Sequence, residues 1–254
     1  MSTSMVQEIS LQGRRVLVTG AARGLGESFA RALVAAGALV VISDVLHARG
    51  QALARELGAM AHYVPMDLSD ASSIAAGMAS TVEAMGGLDG LINNAAITNS
   101  GGKTMDQLET DMFDRVMHVN VRGTWLVTSA AQPHLAASGS GRVVNIASDT
   151  ALWGAPRLMA YIASKGAVIA MTRGMAREMG AQGTTVNAIA PGLTLVEATE
   201  YVPEERHQYY LQGRAIQRPQ VPEDVNAAAL FLLTRASGFI TGQLLPVNGG
   251  FVMN

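Results

Sequence analysis

Apolar residues gather in short runs at Arg14–Thr19, Ala38–Ser43, Met60–Val64, Leu88–Ile92, Gly141–Ala147, Thr184–Ala190 and Gln243–Val247, each of strand length. Between most of them lie longer stretches with Ala, Leu and Met at helical spacing: Leu25–Ala36, His47–Leu57, Asp70–Met85, Met105–Leu135, Pro156–Gly180 and Pro222–Leu233. Strand and helix in alternation predict an α/β fold, a doubly wound parallel sheet with helices on both faces. Val16-Leu17-Val18 and Leu39-Val40-Val41-Ile42 are apolar without interruption, as strands covered on both sides must be. Leu193 to Pro219 breaks the rhythm with Tyr201, Pro203, His207, Tyr209, Tyr210 and several charges, and reads as an excursion over the sheet edge, a lid at 193–219. Residues 1–11 read as an N-terminal tail, and the whole of 1–254 as one domain.

Composition narrows the partners. Half of the 254 residues are hydrophobic and 15% are charged, enough apolar mass for one large core. The net charge of −2 is spread without basic runs, so no footprint for nucleic acid or an anionic membrane exists. Small molecules are the expected partners. The absence of cysteine excludes disulfides, thiolate metal sites and cysteine nucleophiles, and no metal is expected. Residues 1–11 carry Glu8 and no apolar run of signal-peptide length, and no stretch offers 18 uninterrupted apolar residues; a soluble cytoplasmic protein is expected.

Candidate chemistry begins after the first strand, at Thr19-Gly20-Ala21-Ala22-Arg23-Gly24-Leu25-Gly26. Glycines here allow a tight turn and close approach to a pyrophosphate, whose charge meets the amides of a helix N-terminus. Glycines also start helices for purely conformational reasons, but strand, turn and helix stand in the required order, and Asp44 follows at the end of the second strand. A carboxylate there accepts from ribose hydroxyls and repels a 2′-phosphate, which favours NAD over NADP. Arg23 pulls the other way, as a partner for a 2′-phosphate or simply as a solvated surface charge. Asp67, in Met66-Asp67-Leu68, is placed to accept from an adenine amino group or to cap a helix, and Asn94 closes the fourth strand at the ligand-binding edge.

Ser148 follows the fifth strand, and Tyr161 precedes Lys165 by one helical turn on the same face. A tyrosine is a poor base near neutrality unless neighbouring positive charge, from an ammonium and a cationic nicotinamide ring, favours the phenolate; Ser148 can hydrogen-bond a substrate oxygen. Taken alone, Tyr-x-x-x-Lys is a common surface pattern. With the glycine turn and Asp44 it becomes far more specific.

From Gly13 to Gly250 the chain resembles the classical short-chain dehydrogenase/reductase family. The resemblance implies a Rossmann-like fold and assigns Gly20, Arg23, Gly24, Leu25, Gly26, Asp44, Asp67, Leu68 and Asn94 to the cofactor, with Tyr161, Lys165, Pro191, Gly192 and Thr194 at its nicotinamide half. It makes Ser148, Tyr161 and Lys165 the catalytic triad and Asn120 a fourth catalytic residue, a helix-bending asparagine. Ala96 departs from the family, which has glycine after Asn-Asn-Ala. The implied activity is NAD-dependent interconversion of a secondary alcohol and a ketone by hydride transfer, with Tyr161 as general acid/base. Leu152, Trp153, Leu193, Tyr201, Tyr209 and Tyr210 are candidate substrate-pocket walls, or else packing of the lid or of a subunit contact, and suggest an apolar, aromatic or cyclic alcohol. The alternatives are an NADPH-dependent 3-oxoacyl-[acyl-carrier-protein] reductase and a non-catalytic nucleotide sensor. A homotetramer joined through Met105–Leu135, Pro156–Gly180 and the C-terminal region is the expected assembly.

Overall fold

Residues 8–253 are described by a computed structural model, in which the apolar runs form β1 (Arg15–Thr19), β2 (Leu39–Asp44), β3 (Ala61–Pro65), β4 (Gly90–Asn93), β5 (Arg142–Ile146), β6 (Thr185–Pro191) and β7 (Leu244–Val247). They pair in parallel in the order β3-β2-β1-β4-β5-β6-β7. The chain winds outward from β1 to β3, then returns to place β4 on the other side of β1. A switch of direction opens a crevice at the carboxyl ends of the strands, the place where such sheets bind ligands.

The period of two along each strand divides the uninterrupted apolar runs between two cores. Val16, Val18, Val40 and Ile42 face α1 (Gly24–Ala35), α2 (His47–Leu57) and α9 (Glu223–Leu233), through Phe29, Leu33, Leu53 and Leu232. Leu17, Val41, Leu91 and Val143 face α3 (Ala71–Met85), α5 (Thr124–Ala137) and α7 (Met159–Met179), through Ile74, Met78, Val127 and Met179. The predicted doubly wound α/β fold is the observed one.

Three expectations change. The predicted helix Met105–Leu135 is broken into a short 3₁₀ turn at Met105–Gln107, α4 (Thr110–Met117), a π-helical turn at His118–Gly123, and α5. Thr124 Oγ1 donates to the Asn120 carbonyl at 2.8 Å, and a Cβ on Gly123 would lie 2.8 Å from the Leu68 carbonyl oxygen, so the wide turn sits where side chain and backbone crowd. The excursion at 193–219, expected as an irregular lid, contains α8 (Glu204–Gly213): Pro203 precedes it, and Glu204 and Glu205 meet the positive end of its dipole. The described part of the tail is docked, with Leu11 in the core and the Glu8 carbonyl accepting from Ala236 N at 3.0 Å; the rest of that predicted tail, residues 1–7, lies outside the described residues.

Candidate active site

The glycine turn is built against the end of β4. Thr19 Oγ1 accepts from Asn94 N at 3.1 Å and Ala95 N at 3.2 Å, and the Asn94 amide donates back to the carbonyls of Thr19 and Gly20 at 3.0 and 2.9 Å. Gly20 and Gly24 take φ of +63° and +59°, where a side chain is strained. A Cβ on Gly26 would fall 2.2 Å from the Gly20 carbonyl oxygen, so this third glycine allows the helix to pack on the turn and is not itself a wall of the cavity above it.

That cavity, of about 710 Å³, is lined by Gly20, Arg23, Gly24 and Leu25 at one end, by Asp44, Asp67, Leu68 and Asn94 along its length, and by Ser148, Tyr161, Lys165, Pro191, Gly192 and Thr194 at the other. A long crevice with a helix N-terminus and a Cβ-free turn at one end fits a dinucleotide. The Asp44 carboxylate is buried and accepts from Ala22 N and Leu46 N, both at 3.0 Å, which fixes it at the end of β2. Arg23 is about half exposed and stands 3.5 Å from Glu197, which also binds Arg49 at 2.7 Å. It is thus an ion-paired residue rather than a simply solvated one. Asp67 Oδ1 accepts from Ser69 N and Oγ at 2.8 and 2.7 Å, and the capping of α3 falls instead to Asp70.

At the far end, β5 delivers Ser148 and α7 delivers Tyr161 and Lys165. Lys165 Nζ is buried, donates to the Ile146 carbonyl at 2.7 Å, and lies 5.6 Å from the centre of the Tyr161 ring. Burial pushes the lysine down to about 8. It also raises the Tyr161 phenol well above its ordinary value; the Ser148 hydroxyl pulls it down, and Tyr201 and Asp149 add to the rise. The expected depression of the phenol is therefore not produced by the protein's own groups, because desolvation outweighs the pull of the Ser148 hydroxyl. Ser148 Oγ lies 2.8 Å from Thr150 Oγ1. Asn120, within the π-helical turn, accepts from Ile97 N at 2.7 Å and donates to the Ile97 carbonyl and to Ser164 Oγ, both at 3.1 Å, so it ties the loop after β4 to α7 beside the triad.

A second cavity, of about 630 Å³, shares Ser148 and Tyr161 with the first. Leu193, Tyr201, Tyr209 and Tyr210 line it as expected, together with Thr98 and Leu158. Leu152 and Trp153, in the short α6 (Thr150–Trp153), do not: Leu152 packs on the core cluster of Ala147, Val168 and Ile169, and Trp153 stands behind the lid against Tyr209, Tyr210 and Phe251. Their large apolar side chains are consumed by packing.

A family model described as enoyl-(acyl carrier protein) reductase matches residues 20–252. The chain belongs to the short-chain dehydrogenase/reductase family. It is 38% identical to a 3-alpha-(or 20-beta)-hydroxysteroid dehydrogenase of Mycobacterium tuberculosis over 242 residues, 95% of this chain and 90% of the relative. Among solved structures it resembles a gluconate 5-dehydrogenase from Burkholderia cenocepacia in complex with NADP and tartrate, with a TM-score of 0.92, 31% identity and 98% of each chain covered. It also resembles a 3-ketoacyl-(acyl-carrier-protein) reductase from Brucella melitensis complexed with NADH, with a TM-score of 0.90, 32% identity, and 96% of this chain and 100% of that one covered.

As a short-chain dehydrogenase/reductase, the protein has a nicotinamide-cofactor fold and acts in alcohol and ketone oxidoreduction. Sequence reasoning missed several residues at the meeting point of its cavities. Thr98 and Thr199 line both cavities, Asp149 and Thr150 line the second beside Ser148, and each follows the carboxyl end of β4, β5 or β6. Position after a strand end was the available signal. Phe251 lies behind these residues, with its ring stacked on Tyr210 at 4.2 Å.

Proposed function

We propose that the protein is an NAD-dependent dehydrogenase that interconverts a secondary alcohol and a ketone, with an apolar, aromatic or cyclic substrate. One observation carries this reading: Ser148 and Tyr161 belong to the wall, with Thr98, Gly192, Ala198 and Thr199, that is common to the cavity over the glycine turn and the aromatic-lined one. A carbinol carbon resting on that wall lies next to both the cofactor end and the proton-transferring phenol.

The residues divide the work. Ser148 Oγ holds the substrate oxygen and stabilises charge developing on it. Tyr161 takes the hydroxyl proton during oxidation and returns it during reduction. Lys165, anchored at Ile146, holds positive charge beside the phenol, and Asn120 fixes the loop that borders both cavities. A nicotinamide bound across Pro191, Gly192 and Thr194 would supply the hydride acceptor or donor and, when oxidised, a positive charge that favours the phenolate.

Asp44 supports NAD, since a 2′-phosphate would bring like charge against a buried carboxylate. Glu197 partly neutralises Arg23, the residue that favoured the NADP-dependent acyl-carrier-protein reductase. A homotetramer remains part of this reading, supported by Trp125, which is 52% exposed on α5. The deciding experiment is an NAD- and NADP-reduction screen against cyclic, aromatic, sugar and hydroxy-acid alcohols and 3-hydroxyacyl thioesters. Turnover of a cyclic or aromatic alcohol with NAD is expected; turnover of 3-hydroxyacyl thioesters alone, with NADP, would overturn the proposal.

A further inference from the structure

We propose that Asp149 is a positioning residue of this active site: it ties the lid to the catalytic strand end through Tyr210 and sets a buried carboxylate directly after Ser148, beside the wall that carries Tyr161. The inference rests on the proposed role of Tyr161 in proton transfer.

Asp149 directly follows Ser148 and has no exposed surface. Its backbone N–H donates to the Pro191 carbonyl at 3.0 Å, so it is pinned between the ends of β5 and β6. Its Oδ1 accepts from the Tyr210 hydroxyl at 2.7 Å. Its Oδ2 meets no donor at close hydrogen-bond geometry among the described residues, while the Asn248 amide, which also donates to the Val252 carbonyl, and the Thr150 N–H stabilise the carboxylate more weakly. A buried carboxylate with one strong hydrogen bond is costly, and an apolar side chain would fill such a place at no electrostatic cost.

Tyr210 is the anchor of the lid. Its hydroxyl also accepts from Trp153 Nε1 at 3.2 Å, its ring stacks on Phe251, and the Arg214 guanidinium lies 5.3 Å from the ring centre. Helix α8, which carries Tyr210, also supplies Glu205, Arg206 and Tyr209 to the substrate cavity. One hydrogen bond therefore joins the α8 wall of that cavity to the residue beside Ser148.

The carboxylate's charge is not cancelled locally. The groups acting on Asp149 are Tyr210 on α8, Arg214 just beyond that helix, Asn248 after β7 and Thr150 in its own segment, while Arg206 acts on Tyr210. Arg214 is the only cation among them acting on Asp149, and its terminal nitrogens donate to the Leu193 and Arg218 carbonyls and to Gln220 Oε1 instead of pairing with Asp149. The field of Asp149 thus reaches Tyr161 on α7, where Tyr201 acts in the same direction and Ser148 in the opposite one. Burial pushes the Asp149 carboxyl up to about 6, partly offset by Tyr210, Asn248 and Arg214, so it is charged at neutral pH.

The test is the pH profile of alcohol oxidation by the full-length enzyme with NAD and the best alcohol of the panel above, for Asp149→Asn, Tyr210→Phe and Tyr161→Phe, with melting temperatures alongside. Asparagine keeps an acceptor for Tyr210 and removes the charge. Its profile is expected to shift to lower pH by roughly half a unit or more, with KM changed less than about twofold and no loss of melting temperature. Tyr210→Phe keeps the ring stack and frees the lid, and a several-fold rise in KM with a smaller change in kcat is expected. A folded Asp149→Asn enzyme with an unmoved profile overturns the proposal, as does an unchanged KM in Tyr210→Phe, which decides the matter if Asp149→Asn fails to fold. An active Tyr161→Phe enzyme, or a panel with no active alcohol, would instead bring down the proposed function and this inference with it.

Discussion

The two edges of the sheet hold their charges in opposite ways. At the amino edge, Arg15 grips Asp89 with Nε and an Nη at 2.8 and 2.9 Å while its backbone N–H donates to the same carboxylate at 2.9 Å. Arg14 donates to the Asp89 and Ser140 carbonyls and to Ser140 Oγ, and Arg142 to the carbonyls of Thr234 and Gly141. These groups are committed to one another and close the loops. At the carboxyl edge, Lys165 has one carbonyl partner among the described residues and Asp149 is held chiefly by one phenol, and both border a cavity. Charge fixed by partners holds a fold together; charge with spare capacity is available for chemistry.

Substitutions can break this contrast at either end. The largest effect is expected for Tyr161→Phe: a fall in kcat of roughly 10²–10⁴-fold with melting temperature unchanged; a parallel loss of stability would show that the carboxyl edge is structural too. Asp89→Ala should do the reverse, costing about 2 kcal/mol in denaturant unfolding while kcat holds. Burial pushes the Asp89 carboxyl up, but the hydrogen bonds and charge of Arg15 outweigh it and leave its pKa below the ordinary value. Its stabilising contribution is therefore complete above the usual aspartate range and lost as the pH falls through its depressed value, and acid unfolding of the wild type but not of Asp89→Ala should carry that component.

Lys165→Met sharpens the comparison from the other side. Because burial lowers this lysine to about 8, the folded state bears the cost of the buried charge below that pH, and the cost fades as the pH rises from about 8 toward the unfolded value of 10.5. The variant should lose activity yet gain about 1–2 kcal/mol of stability at neutral pH, with the gain shrinking in alkaline buffer. The smallest effect is expected at Asp44→Ala, where the NAD-to-NADP ratio of kcat/KM should fall by about tenfold; a ratio that stays put would remove the basis for assigning NAD.

Much of this division was legible in the residues. Uninterrupted strands such as Leu39-Val40-Val41-Ile42 announced a sheet covered on both faces, and the glycine turn, Asp44, Ser148, Tyr161 and Lys165 all fell at strand ends or helix starts where the fold places ligands. What escaped depended on three-dimensional crowding. The resemblance implied a bend at Asn120, but no local pattern tells that the bend is a π-helical turn, which lies where Gly123 packs on Leu68 across 55 positions of chain. Trp153 looked like a pocket wall because aromatic residues suit pockets and packing equally, and only the ring of Phe251, nearly a hundred residues later, shows which use prevailed. Arg23 was weighed against a phosphate or solvent, and its actual neighbour, Glu197, comes from the lid.

The clasp between Thr19 and Asn94 also orders events during synthesis. The two residues are separated by 75 positions, and the turn's carbonyls are held by an amide that does not exist until β4 has been made. Closing so long a loop comes late relative to the helices that form within it. A nascent chain that ends before Asn94 therefore has the entire glycine motif and no finished cradle, and nucleotide cannot rescue its folding; the cofactor can act as a chaperone only for chains already past the midpoint of their own topology.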